Sequence, residues 1–148
     1  SGFSDCSYGV YYAAHALDTA IAEVGHHRAV FLARTAEPAL DIDLRLVTAT
    51  LDAELHDLRD LGAAGAKLFH PDHYSSPQAL GRRLRAAGSW GVQFPSVRHR
   101  GGLCVGVFRP RALSRAKAGA HIALHWDGQR ITHWYEKRDP QALPERSQ

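Results

Sequence analysis

The stretch Thr19-Ala20-Ile21-Ala22-Glu23-Val24-Gly25-His26-His27 decides how this chain is interpreted. Thr19, Glu23 and His27 are spaced four residues apart, so an α-helix with 3.6 residues per turn places them on one face. A hydroxyl, a carboxylate and an imidazole on one helix face are poorly suited to packing in an apolar core. The pattern therefore predicts a helix with a chemically reactive face.

Outward from this helix, the sequence predicts a mixture of helices and strands. Residues 10–14 are strand formers, and the helix after them is expected to begin at Asp18 or Thr19 and to end near Leu32. The order of elements predicts one α/β domain of the mixed α+β kind. Further predicted elements are a strand at 40–47, a short helix at 51–61, a loop at 62–65, a helix at 78–87, strands at 92–94 and 103–108, and a hairpin of 121–126 and 129–135 around Asp127-Gly128. The helix at 78–87 is expected to be capped by Ser76-Pro77, to end at Gly88 and to turn Leu80, Leu84 and Ala87 inward.

Composition limits the class of protein. A chain of 148 residues is expected to hold one domain, here residues 1–138, followed by a mobile tail at 139–148. The net charge of +3 is too small for a dense nucleic-acid coat. Cys6 and Cys104 do not form a disulfide framework, which favours a reducing compartment such as the cytoplasm. No signal peptide and no apolar run of about 18 residues is present, so we expect no membrane contact.

Several sequence blocks, in this order and spacing, resemble the RES domain, a family named for its Arg, Glu and Ser. The resemblance runs from about Phe3 to Ile131. The matching blocks are Tyr12-Ala13-Ala14, Leu17-Asp18-Thr19-Ala20-Ile21-Ala22-Glu23 with His27, the stretch 72–81, the stretch 91–98, Gly101-Gly102-Leu103-Cys104, Val107-Phe108-Arg109-Pro110 and Trp126-Asp127-Gly128.

The resemblance implies a fold, an activity and a partner. Family members are toxins of bacterial toxin–antitoxin modules, have a fold similar to ADP-ribosyltransferases and attack NAD. The implied reaction breaks the nicotinamide–ribose bond, with protein, phosphate or water as acceptor. The implied partner is a helix-turn-helix antitoxin that covers the active site, and nucleic acid is met only through that antitoxin.

The resemblance also assigns catalytic residues. Glu23 matches the family's acid, and a carboxylate there can stabilise an oxocarbenium-like transition state. His27, one helical turn later, is expected to hold Glu23 or the substrate by a hydrogen bond. The family's serine falls in the block that contains Ser75 and Ser76, both of which remain open, and Ser96 is a third candidate.

Four side chains are assigned to NAD binding. Tyr12 is expected to stack on the nicotinamide or to hydrogen-bond a phosphate. Thr19 shares the face of Glu23, Ser96 follows Phe94-Pro95, and Gln78 lies at a helix start, where free backbone N–H groups attract phosphate.

Each assignment has a purely structural alternative. Glu23 is equally interpreted as an exposed helix residue, Tyr12 as a core aromatic and Thr19 as a helix cap. His27 is interpreted as a surface histidine, with His26 the more exposed of the two, and Ser76 as a plain cap.

Two further clusters have the same ambiguity. The basic groups Arg82, Arg83 and Arg85, and Arg98-His99-Arg100, are typical of a solvated face, although they would also suit nucleic acid. The histidines at 70, 73, 121 and 125 lack the tight ligand motifs of zinc sites, so no metal is expected.

Position 2 departs from the family pattern, since Gly2 stands where the family has arginine. An arginine there would bind the pyrophosphate of NAD through two parallel hydrogen bonds, which glycine cannot do. Two interpretations stay open: an inactivating substitution, or foreign residues Ser1-Gly2 in place of a native arginine. The rival functional classes are a catalytically inactive RES-like binding module and a nucleic-acid-binding domain that uses its arginine clusters.

Overall fold

The computed structural model describes residues 8–61, 75–138 and 140–147. Within them the chain forms two α-helices and seven strands in two sheets, which confirms the mixed α+β class. The elements are β1 (Tyr11–Ala14), α1 (Leu17–Thr35), β2 (Leu40–Leu51), β3 (His56–Asp57), α2 (Ser75–Ala86), β4 (Gly91–Pro95), β5 (Leu103–Val107), a 3₁₀ turn (Pro110–Ala112), β6 (Leu113–Trp126) and β7 (Ile131–Lys137).

The chain folds as two compact units. The first comprises Ser1–Arg28 and Ala49–Arg115, and the second comprises Ala29–Thr48 and Ala116–Gln148. Among the described residues, no helix has both the length and the apolar character needed to cross a membrane. The last described segment, 140–147, contains no helix or strand.

The first unit is built on a four-stranded sheet with the order β1-β5-β4-β3. Strand β5 is antiparallel to both of its neighbours, and β3 is parallel to β4. Gly106 of β5 lies between Tyr12 and Val92, and Cys104 lies between Ala14 and Phe94. Because alternate residues of a strand share a face, these six residues project to one face of the sheet.

Both faces of this sheet are apolar. On the face of Gly106, the buried Leu58, Val92 and Phe108 pack with Leu80 and Leu84 of α2. On the other face, a second cluster contains Val105, Val107, Ala112, Leu51 and Leu55. The sheet is therefore packed against apolar side chains on both sides, although Tyr12 of β1 stays exposed on the face of Gly106.

Helix α1 begins at Leu17 and continues to Thr35, three residues beyond the predicted end. The Thr35 hydroxyl donates to the carbonyl oxygen of Leu32 at 3.1 Å. Ala36 follows with φ of +52°, the left-handed conformation that commonly ends a helix. A non-glycine residue takes this position, so the sequence carried no glycine signal for the helix end.

The predicted helix at 51–61 is wrong. Leu51 ends β2, and β3 (His56–Asp57) pairs with β4. The apolar spacing of Leu51, Leu55 and Leu58 resembled one helical face, but Leu51 and Leu55 pack on one face of the sheet and Leu58 on the other. Pairing with the edge of β4 outweighed the local helical pattern. The predicted loop at 62–65 lies outside the described residues.

Helix α2 confirms the predicted helix and its termination before Gly88, which has φ of +83°. The helix begins at Ser75, three residues before the predicted start, so the prediction that Ser76 caps it is wrong. Leu80 and Leu84 contact the core as expected. Ala87 was expected inward but is exposed, because α2 ends at Ala86 and Ala87 belongs to the turn beyond it.

The second unit is built on a three-stranded sheet with the order β2-β6-β7. Strands β6 and β7 form the predicted hairpin, whose turn is held by the Asp127 carboxylate, which accepts from the backbone N–H groups of Gln129 and Arg130. Strand β6 starts at Leu113, eight residues before the predicted start. Its first half is rich in Ala, Gly and Lys, which are poor strand formers, and this hid it in the sequence.

Candidate active site

Helix α1 carries the predicted row of polar residues from a buried to an exposed position. Thr19 is 1% exposed, Glu23 is half-buried and His27 is exposed. His26 is half-buried, so the expectation that it is the more exposed histidine of the pair is wrong. The row therefore reaches solvent through Glu23 and His27, while Thr19 belongs to the interior.

The carboxylate of Glu23 is held by Ser96. The Ser96 hydroxyl donates to Oε1 of Glu23 at 2.6 Å. The Ser96 hydroxyl oxygen itself accepts from the backbone N–H groups of Arg98 at 3.1 Å and His99 at 3.0 Å. A serine hydroxyl has one proton and two lone pairs, so these three hydrogen bonds use its full capacity. Ser96 thus fixes the position of Glu23 and has no bond left over for a ligand.

Ser96 opens the loop between β4 and β5, which residue Gly102 closes. The backbone N–H of Ser96 donates to the carbonyl oxygen of Gly102 at 2.9 Å. The backbone N–H of Gly102 donates in turn to the carbonyl oxygen of His99 at 2.9 Å. His99 Nδ1 lies 2.8 Å from Oγ1 of Thr19, within hydrogen-bonding distance. The loop therefore contacts helix α1 at two positions, Thr19 and Glu23.

Gly102 is required by the closeness of this contact. A Cβ atom at Gly102 would lie 2.5 Å from Oγ1 and 2.7 Å from Cγ2 of Thr19, and 3.0 Å from Nδ1 of His99. Since Thr19 is buried, it has no space to retreat into. Only glycine allows the loop to reach the helix here.

Cys104 provides a second contact to Glu23. Its Sγ atom lies 3.8 Å from Oε1 of Glu23, in donor geometry. Burial raises the pKa of the Cys104 thiol to about 12, and the negative charge of Glu23 adds to the increase. The thiol is therefore protonated at neutral pH and is a poor nucleophile.

Tyr12 lies further along the same face of the sheet. Its neighbour Gly106 is two residues from Cys104, and a Cβ atom at Gly106 would lie 3.5 Å from Cε1 of Tyr12. Tyr12 is 39% exposed, so its ring is open to solvent beside the strand that carries Cys104. The structure thus places an accessible aromatic ring on the face that meets Glu23.

The remaining predicted residues are at the start of helix α2. The side chains of Ser75 and Ser76 lie outside the described part of the structure, so their relation to Glu23 stays a prediction. Gln78 lies in the first turn of α2 and is half-buried.

Sequence reasoning missed His99 and Cys104 as parts of the site. His99 was interpreted only as part of a basic loop, and Cys104 only as an unpaired cysteine. Their partners Thr19 and Glu23 are 80 and 81 residues away in the chain, and no local pattern signals such contacts.

A basic depression with a volume of about 730 Å³ lies beside helix α2 and the residues that follow β5. Among the described residues that line it there is no carboxylate, and Glu23 is not one of them. The lining residues are Tyr8, Arg82, Arg85, Ala86, Phe108, Arg109, Pro110 and Arg111. Among the described residues, no three His, Cys, Asp or Glu side chains are grouped as metal ligands.

Comparison with known proteins gives the family. The model of the RES domain matches residues 2–127, most of the 148-residue chain. No curated protein matches the chain significantly. The RES-domain family is known for NAD-targeting toxins of toxin–antitoxin modules, which assigns a coarse functional class. The chain belongs to the RES-domain family.

Proposed function

We propose that this chain is the toxin of a bacterial toxin–antitoxin module and cleaves the nicotinamide–ribose bond of NAD. ADP-ribose is then transferred to protein, phosphate or water. The observation that carries the proposal is the half-buried carboxylate of Glu23, held at 2.6 Å by Ser96 on the face that also presents Tyr12. Family membership supports NAD as the substrate.

The chemistry requires charge stabilisation more than proton transfer. Nicotinamide leaves as a neutral molecule from a cationic ring, so the leaving group needs no acid. The ribose develops positive charge in an oxocarbenium-like transition state, which a nearby carboxylate stabilises. Glu23 supplies this negative charge and accepts hydrogen bonds from ribose hydroxyls.

A carboxylate performs this role best when its position is fixed before the reaction. A free glutamate side chain would have to lose rotamer freedom during each turnover, which costs up to about 2 kcal/mol. Ser96 fixes Oε1 of Glu23 beforehand, and two backbone N–H groups fix Ser96 in turn. We therefore assign Ser96 to positioning Glu23 rather than to direct contact with NAD.

Other residues have roles that follow from their exposure. Tyr12, with an accessible ring, stacks on the nicotinamide or hydrogen-bonds a phosphate. His27, exposed one turn beyond Glu23, contacts the substrate. The start of α2, with Ser75, Ser76 and Gln78, binds phosphate through backbone N–H groups at the helix N-terminus.

The proposal includes a partner protein, a cellular location and an expected level of activity. A helix-turn-helix antitoxin covers the site in the cytoplasm, and nucleic acid is bound through that antitoxin. Gly2 stands where the family has arginine, so we expect weak or absent NAD cleavage by this sequence.

The test is incubation with NAD, with and without phosphate, followed by identification of the products. This chain and its Gly2→Arg variant are compared. Release of nicotinamide supports the proposal, and the second product identifies the acceptor as protein, phosphate or water. If neither protein releases nicotinamide, the chain is a binding module rather than an enzyme.

A second candidate function is direct nucleic-acid binding, which the basic depression favours. Four arginines line it, and no carboxylate is found among the lining residues in the part of the chain that the structure describes; the arginines are Arg82, Arg85, Arg109 and Arg111. Phosphate contacts make affinity fall steeply with salt. A steep salt dependence of oligonucleotide binding, lost in an Arg109→Glu variant, would favour this candidate over the enzyme.

A further inference from the structure

We infer that Thr19 and His99 form an anchor that fixes the Ser96 loop on helix α1 and thereby positions the carboxylate of Glu23. The inference rests on the proposed function. Neither residue needs to touch NAD, so both are positioning residues. The sequence assigns Thr19 to NAD binding, and this inference assigns it to positioning instead.

The anchor is a second attachment between the loop and the helix. Thr19 Oγ1 and His99 Nδ1 are 2.8 Å apart, and Ser96 Oγ and Glu23 Oε1 are 2.6 Å apart. Thr19 and Glu23 are separated by four residues, or about 6 Å along the helix. A loop that contacts the helix at one point can still turn on the helix about that contact, whereas contacts at two points prevent this movement.

The anchor is shielded from water. Thr19 is 1% exposed, so water cannot readily replace His99 as the partner of its hydroxyl. Gly102 packs directly against this pair, with no space for a Cβ atom. A buried hydrogen bond that loses one partner leaves the other unsatisfied, which makes this contact costly to open.

The anchor acts on Glu23 through the backbone of the loop. The N–H groups of Arg98 and His99 hold the Ser96 oxygen, and His99 is the residue that Thr19 contacts. Releasing the His99 side chain therefore loosens the same backbone that orients the Ser96 hydroxyl. A misplacement of Glu23 by about 1 Å is enough to cost up to roughly 100-fold in rate.

The alternative is that the pair only stabilises the fold. Thr19→Val separates the two ideas, because valine keeps the shape of threonine and removes the hydroxyl. Thr19→Ser keeps the hydroxyl and serves as the conservative variant. Thr35→Val is the matched control, since it removes a hydroxyl from the same helix, one that donates only to Leu32.

The first measurement is amide hydrogen exchange at Arg98 and His99, which does not depend on activity. We expect Thr19→Val to accelerate this exchange at least about tenfold, and Thr19→Ser and Thr35→Val to leave it nearly unchanged. Unchanged exchange in folded Thr19→Val would overturn the anchor, whatever the enzyme does.

The second measurement is steady-state NAD cleavage in the Gly2→Arg background. We expect Thr19→Val to lower kcat at least about tenfold with little change in KM, and Thr19→Ser to restore most of it. Faster exchange with unchanged kcat overturns the positioning role. If the Gly2→Arg reference itself cleaves no NAD, the proposed function fails, and exchange alone then decides whether the anchor holds the loop.

Discussion

The Ser96 hydroxyl lies 2.6 Å from Oε1 of Glu23, although 73 residues separate the two in the chain. Glu23 comes from helix α1 and Ser96 from the loop after β4. The contact is short, as expected for a hydroxyl that donates to a carboxylate. The contact connects Glu23, the acid that the family resemblance implies, with Ser96, which the sequence offered only as a third candidate for the family's serine.

Removing the Ser96 hydroxyl should impair catalysis. We expect Ser96→Ala to reduce NAD turnover at least about tenfold, because Glu23 loses the donor that fixes it. The N–H groups of Arg98 and His99 lose their acceptor, so the free energy of unfolding should fall by about 1–3 kcal/mol. Chemical denaturation and steady-state kinetics measure the two effects.

Ser89→Ala is the control for that experiment. Ser89 is buried, and its hydroxyl oxygen accepts from the backbone N–H of Gly91 and lies 2.9 Å from Nδ1 of His56, so its hydrogen bonds are made away from Glu23. It should lower stability by a similar amount and leave turnover per folded molecule unchanged. Equal losses of turnover in both serine variants would mean that Ser96 has no specific role.

Gly102→Ala should destabilise the protein. The added methyl group would approach the buried Thr19 side chain to 2.5 Å, so either the loop or helix α1 must shift. Such overpacking costs about 1–3 kcal/mol. Thermal unfolding measures the cost, and NAD turnover should fall with it because the loop also carries Ser96.

Gly25→Ala is the matched glycine variant and should have the opposite effect. Gly25 lies inside α1 with open space around a Cβ atom. Alanine should stabilise the helix by about 0.5–1 kcal/mol and raise the melting temperature. A loss of stability there, or none at Gly102, would contradict the packing described.

Cys104 should resist alkylation in the folded protein. Its pKa of about 12 lies above the ordinary thiol value of 9.0, so the thiol stays protonated at pH 8. In a Cys6→Ser background, iodoacetamide should label Cys104 only after denaturation. Labelling of the native protein at the rate of a free cysteine would show that the thiol is accessible and ionised.

The same pKa gives a dependence of stability on pH. The folded thiol has a higher pKa than the unfolded one, so its stabilising contribution is complete below pH 9 and is lost as pH rises toward 12. The free energy of unfolding should therefore decline more in this window for the Cys6→Ser protein than for the same protein with Cys104→Ala. Parallel pH profiles would contradict the assignment.

Restoring arginine at position 2 should create a toxic protein. A guanidinium there would donate charge-assisted hydrogen bonds to phosphate, each worth about 1.5–3 kcal/mol, or roughly ten- to hundredfold in binding. We expect expression of Gly2→Arg to slow growth of a bacterial host and to lower its NAD. A Gly2→Lys variant, which keeps the charge without the two-pronged geometry, should be intermediate.

Local patterns in the sequence were enough to predict helix α1, helix α2, strands β1, β4 and β5 of the first sheet and the hairpin turn. Each depends on residues close together in the chain, such as the helical spacing along α1 and Gly88 after α2. The helix predicted at 51–61 failed because its alternative, pairing with β4, depends on residues more than 30 positions away. The start of β6 was missed for a different reason, because its first half is rich in residues that form strands poorly.

The site shows the same division between local and distant information. The face shared by Thr19, Glu23 and His27 follows from helical spacing alone. The burial of Thr19 and the contacts of Glu23 with Ser96 and Cys104 do not, because they arise where the loop after β4 and strand β5 meet the helix. The family resemblance therefore supplied Glu23 as the acid, a role that stays a prediction, while the sequence did not predict the contacts of Glu23 with Ser96 and Cys104.

The most direct test of the account is the rate of nicotinamide release by Gly2→Arg, compared with the same protein carrying Glu23→Gln. Glutamine keeps the shape of the side chain and an oxygen that can accept from Ser96, but removes the negative charge. We expect the glutamine variant to lose turnover by about 100-fold or more, with unchanged circular dichroism and melting temperature. If this variant keeps most of its NAD consumption, or if Gly2→Arg leaves NAD intact, Glu23 is not the acid of an NAD-cleaving enzyme.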